Sequence, residues 1–361
     1  MRNCILGIFA AVHTALEKPF VRCAMLALAW QLLAGCSILQ RQSRVVPLPQ
    51  LPKGPVELRV AHVINPRLPR MNDGQILILL NAVKETCRQH FGVELTFTPV
   101  QEMSIEAFFR LIPESKKEEA LTHVFDFKTG TGDPQKLAAD FGRKLREEGD
   151  ALPPMLRYIK PYIDKLPEPT YEALGAALSK LQLERIKHWQ TVPALDGGPA
   201  IDASPYNEYN MWDLAGYGKL PFELVITNQI IASVEDIDPS VHTSIRGGYN
   251  NGVTTYSRKS RFQTYSVWST FAFTTDDPWV KKMRNGETLN AAEAARLAGI
   301  GAAHELGHQL FHFLHPYDNA ACVMNPVPMF SYRAWADKLS PWDCRIGSSP
   351  PMTPGAFKFA Y

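Results

Sequence analysis

Asn290 to Phe311 reads as one long Ala-rich helix, and two histidines four residues apart lie near its C-terminal end. Four residues advance an α-helix by roughly 400°, so the imidazoles of His304 and His308 leave the same face, about 6 Å apart along the axis. Both can then reach one ion at about 2.0–2.1 Å, the usual zinc–imidazole distance. Glu305 adjoins the first ligand but points off its line, where a carboxylate can hold a water without itself binding the metal. A chain built this way needs a further ligand from beyond the helix end and a fourth position left open.

The residues after His308 offer few such ligands. No glutamate occurs beyond Glu305, which excludes a later glutamate as the third ligand. His312 shares the helical face of His304 but lies about 12 Å along the axis, too far for an unbroken helix to bring all three to one ion. His315 directly precedes Pro316, so the helix must end near it, and a chain reversal after about Phe311 can swing it back under the metal. His315 therefore ranks first, with His312 and Asp318 as the alternatives.

From His304 to Met324 the segment resembles the metzincin zinc peptidases, in particular the archaemetzincin branch. Cys322-Val323-Met324-Asn325 is similar to that branch's Cys-x-Met element, and Met324 corresponds to the methionine turned beneath the metal. The resemblance implies an α+β fold: a twisted mixed sheet, an active-site helix and a small part after the turn. It also implies peptide-bond hydrolysis, with zinc as cofactor, Glu305 as general base, a peptide or protein as substrate, and an endopeptidase rather than an exopeptidase. Two departures stand out. The family's glycine position holds Phe311 and its third-histidine position holds Leu314, so His315 fits only with one extra residue and with His312 making the turn. The paired cysteines that hold a second zinc in archaemetzincins are not reproduced, so one ion is expected. Tyr317 and Tyr332 are candidates to support a developing oxyanion, and strand Gly252 to Ser257 is a candidate edge for pairing with substrate backbone.

The amino-terminal region carries a different signal. Lys18 and Arg22 precede an apolar run from Cys23 to Leu33, at roughly 11 residues too short to span a bilayer, and it ends in Leu33-Ala34-Gly35-Cys36. This resembles the lipobox of bacterial lipoproteins. The resemblance implies a signal peptide over 1–35 and a lipid on Cys36 that anchors an exported protein to a membrane, the outer one in a two-membrane cell. Residues 36–55, with Pro47, Pro49, Pro52 and Pro55, suit an extended tether. Of six cysteines, Cys87, Cys322 and Cys344 remain after the signal and the lipid site. Three is odd, and Cys322 with Cys344 is the candidate disulfide. A net charge of +2 gives no reason to expect nucleic acid as a partner.

The body is expected over 56–361. It opens as a βαβ unit: a strand over Glu57 to Ile64, a helix from about Gln75 to His90 stopped by Gly92, and a strand over Val93 to Val100. A mainly helical insertion follows over about 104–190, with helices after Asp133-Pro134 and over Thr170 to Trp189 and no recognisable catalytic set. Strand signals return at Phe222 to Ile231, Gly252 to Ser257 and Phe262 to Phe273, with Asn250-Asn251-Gly252 as a turn, and a small irregular part follows about 316. A second functional class fits the same residues: a surface lipoprotein that binds zinc or a partner without catalysis.

Overall fold

A computed structural model describes residues 54–121, 134–148, 152–202, 204–232, 240–255 and 264–344. The signal peptide, Cys36, nearly all of the tether, Asp133, and the expected strand ends at Ser257 and Phe262 lie outside them.

The chain opens with β1 (Val56–Leu58) and β2 (Val60–Ile64), then α1 (Asp73–Thr86). The single strand expected over 57–64 is therefore two, broken at Arg59. The guanidinium of Arg59 pairs with buried Glu223 at 2.6 Å while its backbone N–H donates to the same carboxylate. Breaking there lets β1 join one sheet and β2 another. Asn72 caps α1 reciprocally with Gln75, and Gly92, at φ 65°, ends the π-helical turn Cys87–Phe91 that follows. β3 (Leu95–Phe97) pairs in parallel with β1, as a right-fed βαβ unit requires. An additional strand, β4 (Gln101–Ser104), lies just before the insertion and ends at Ser104, which caps the first insertion helix.

The insertion is otherwise helical: α2 (Ile105–Phe109), α3 (Glu114–Leu121), α4 (Pro134–Glu148), α5 (Leu152–Ile159) and α6 (Tyr171–Trp189), the last capped by Thr170. There follow α7 (Tyr209–Ala215), β5 (Leu224–Thr227), β6 (Ile231–Ala232), α8 (Val241–Ile245), β7 (Tyr249–Asn250), β8 (Gly252–Thr255) and β9 (Tyr265–Ser269). After β9 the chain turns at once into α9 (Phe271–Thr274), which shortens the strand expected to run to Phe273. α10 (Pro278–Met283), α11 (Ala291–Phe311) and α12 (Tyr332–Ala336) complete the described elements.

The molecule is mixed α+β, and its main sheet is mixed as well. The strand order is β4-β2-β5-β9-β8, with β8 antiparallel to β9 at the edge and every other pair parallel. Alternate side chains of these strands enter two different cores. Leu224 and Ile226 pack with Leu79, Leu297 and Ala298 of the two long helices, while Val225, Val253 and Val267 pack with Phe108 and Trp212. Asn250-Asn251-Gly252 is not a hairpin turn. Asn250 ends β7, which pairs with β6, and Gly252 begins β8 in the main sheet, so the bend at Asn251 switches the chain between sheets.

A third apolar cluster ties the insertion to the rest, since Leu174 and Leu178 of α6 pack with Val241 and Ile245 of α8. His188 stacks on Trp279 at 4.2 Å, and buried Trp189 donates its indole N–H to the Arg246 carbonyl at 2.6 Å, so both are packing residues. Among the described residues no helix is long and apolar enough to cross a membrane.

α11 begins where Asn290 accepts a hydrogen bond from the Glu293 N–H at 3.0 Å, and Glu293 in turn pairs with Arg333 at 2.5 Å. Asn290→Ala removes the cap and is expected to lower stability by about 1 kcal/mol, read from denaturant unfolding.

Candidate metal centre

α11 buries every residue of its C-terminal half but the half-buried His308, and its Ala- and Gly-rich sequence is what allows that. At Gly307 a side chain would collide with the Met324 sulfur, so the glycine inside the His-Glu-x-x-His pattern is the seat of Met324. Helix C-terminal geometry then delivers the third histidine. His312 adopts the left-handed conformation, φ 57° and ψ 33°, and its N–H donates to the His308 and Gly307 carbonyls. Glycine usually fills this position, because a β-carbon costs energy there. The chain reverses, and His315 returns toward the helix.

The three rings meet at their Nε2 atoms. His304 and His308 are 3.0 Å apart, His308 and His315 3.0 Å, and His304 and His315 3.1 Å. The other nitrogens of two rings are already engaged. His304 Nδ1 donates to the Val323 carbonyl at 2.8 Å, and His308 Nδ1 donates to the carbonyl of Phe313. A carbonyl only accepts, so in the neutral rings both Nε2 atoms carry bare lone pairs pointed at each other. Burial, with the neighbouring imidazoles, holds His304 and His315 well below the usual histidine range, which keeps these rings neutral. Converging lone pairs repel unless a cation lies between them. Regular tetrahedral zinc spaces its nitrogen ligands about 3.3 Å apart, close to the observed triangle. The cluster His304, His308 and His315 can therefore hold one metal ion, and the two carbonyls are the outer partners that fix ligating imidazoles.

The other sequence candidates fall elsewhere. His312 forms the cap and Asp318 is exposed, so neither joins the cluster. Tyr317 packs edge-on against His315 with ring centres 5.9 Å apart. Tyr332 lines the cleft beside His304 and Glu305, but its hydroxyl donates to Asn251 Oδ1 at 2.9 Å. Burial raises Tyr332 to about 12, against a smaller opposing effect from Arg246, so the phenol keeps its proton. Met324 is fully buried beneath the histidine-bearing turn. Cys322 and Cys344 are joined in a buried disulfide, and Cys87 is buried and free.

Glu305 lies against the sheet edge. Thr254 of β8 donates to its Oε2 at 2.7 Å and is itself within 3.0 Å of Ser266, its register partner on β9. A side chain at Gly252 would strike the other carboxylate oxygen. Gly252 and Thr254 thus form the face of β8 turned to the helix, one making room for the carboxylate and one gripping it. Sequence reasoning placed Gly252 and Thr254 on a candidate edge strand, with Gly252 also at a turn, but missed their contacts with Glu305. It also missed His242 and Arg246, which line the same cleft from α8 and its C-terminal cap. Their only signal was a four-residue spacing after the capping Ser240, in a helix too short to show periodicity. Compared with known proteins, the chain matches no family model, no curated protein and no solved structure.

His315→Ala is expected to weaken metal binding by at least about 100-fold, whereas His312→Gly should retain one equivalent and full stability. Metal analysis after dialysis, with thermal unfolding, reads both.

Proposed function

We propose that the chain is a zinc-dependent peptidase of metzincin-like design, with His304, His308 and His315 as ligands and Glu305 as general base. The observation that carries this is the meeting of three Nε2 lone pairs beside one carboxylate held by Thr254. An all-imidazole set with no oxygen ligand favours zinc over magnesium or calcium. Met324 beneath the ligand turn and the mixed sheet with an antiparallel edge support the metzincin-like reading.

A zinc ion held there supplies Lewis acidity to the scissile carbonyl and acidifies a water. Glu305 takes the proton of the attacking water and passes it to the leaving amine. Thr254 holds one carboxylate oxygen by its hydroxyl and so orients Glu305 toward this role. Substrate lies extended along β8, whose antiparallel edge can pair with peptide backbone. The amino-terminal sequence supports an exported bacterial protein, lipid-anchored at Cys36.

Glu305→Gln is expected to keep one equivalent of zinc while lowering the rate of peptide cleavage by about 10²–10⁴-fold. Mass spectrometry of a digested peptide mixture, beside metal analysis of the same sample, decides it. Turnover at the wild-type rate would overturn the role.

A further inference from the structure

The cleft beside the three histidines is lined by His242, Arg246 and Trp268, and each carries a buried nitrogen without a hydrogen-bond partner among the described residues: His242 Nδ1, Arg246 Nε and Trp268 Nε1. Indole and guanidinium nitrogens can only donate. Among the described residues the Arg246 guanidinium otherwise meets only neutral groups: Asn251 Oδ1 at 3.3 Å, the Val327 carbonyl, the Tyr332 side chain and the face of Phe330 at 5.5 Å. No carboxylate among the described residues lies within ion-pair distance of Arg246, although its side chain is 97% removed from solvent by exposure. Native proteins seldom leave buried donors unmatched, and a buried guanidinium without an acid is rarer still.

We propose that this cleft receives the terminal carboxylate of a peptide, with Arg246 matching its charge and Trp268 donating to it. The proposal rests on the peptidase reading above and names its substrate class: peptides with a free C-terminus, cut near that end. Charge argues for a carboxylate over an ammonium. Among the described residues of the cleft the sole acid is Glu305, which the peptidase reading assigns to the attacking water, so an amino terminus would compete for that carboxylate and leave the guanidinium unmatched. Charge also separates the carboxylate from an internal peptide carbonyl, which would satisfy Trp268 but leave the guanidinium unmatched. This replaces the endopeptidase expected from the sequence with a peptidase that removes residues from the carboxyl end.

The test uses the full-length, zinc-loaded Glu305→Gln protein and two probes: N-acetyl-tetra-alanine as the free acid and as the C-terminal amide. Isothermal calorimetry should give at least about tenfold tighter binding of the acid. Arg246→Met, added to Glu305→Gln, should bring the two within about threefold, and Arg246→Lys should keep part of the preference because it keeps the charge. Equal binding of acid and amide to the Glu305→Gln protein would overturn the proposal while leaving the peptidase reading intact, and needs no Arg246 variant that folds. A preference surviving in Arg246→Met would overturn it as well, since the carboxylate would then be held by the metal. With wild-type protein, stepwise loss of residues from the C-terminus of the free acid supports the proposal. Cleavage of acid and amide alike counts against it, and absence of any cleavage overturns the peptidase reading along with it.

Discussion

Two backbone carbonyls decide where the protons of two imidazoles sit, and the architecture around them exists to hold those carbonyls still. The Val323 oxygen fixes the proton of His304 on Nδ1, and the Phe313 oxygen does the same for His308. With the protons facing away, the lone pairs face one another across about the distance a tetrahedral ion demands. Neither carbonyl belongs to the helix that carries the ligands. Each comes from chain beyond the helix end, so the site is an agreement between α11 and the segment that follows it. That segment is pinned at many points. Asn325 donates to the Pro316 carbonyl at 2.7 Å, Trp335 to the Asn325 carbonyl at 3.0 Å, and Tyr158 of the insertion to the Pro326 carbonyl at 2.7 Å.

The sheet edge completes the arrangement from the opposite side. A strand with alternating faces offers small or polar residues toward the helix and apolar ones toward the second core. Gly252 and Thr254 use the first face to seat the buried carboxylate of Glu305. The helical insertion, which carries no ligand, contributes by contact: α6 supports α8, and α8 carries His242 and Arg246 to the cleft.

What could be read from the sequence follows the range of the interactions involved. The pattern at His304, Glu305 and His308 is local to one helix, and its geometry follows from the helical period alone. The choice of His315 followed from Pro316 and the axial distance of His312, and the left-handed cap at His312 agrees with the turn it was expected to make. The long helices were legible because periodicity and caps reinforce each other over many residues. Short elements were not. β1 and β2 looked like one strand because the break at Arg59 depends on an ion pair with Glu223, 164 residues away. α8 spans five residues, too few for any periodic signal, so His242 and Arg246 stayed hidden. Thr254 gave no sign of its role, since a threonine in a strand is ordinary and its partner lies 51 residues off. Asn250-Asn251-Gly252 has turn composition, but composition cannot tell a hairpin from a switch between sheets.

The disulfide between Cys322 and Cys344 closes a loop that contains, at Val323, the carbonyl that orients His304. Nothing in the first three hundred residues can therefore finish the centre by itself. During synthesis the helix can form, but its histidines must wait for the final stretch to emerge, fold back and be oxidised. On the metal-binding reading proposed above, ion capture and thiol oxidation would favour the same arrangement of residues 312–344, so each would make the other's product more populated.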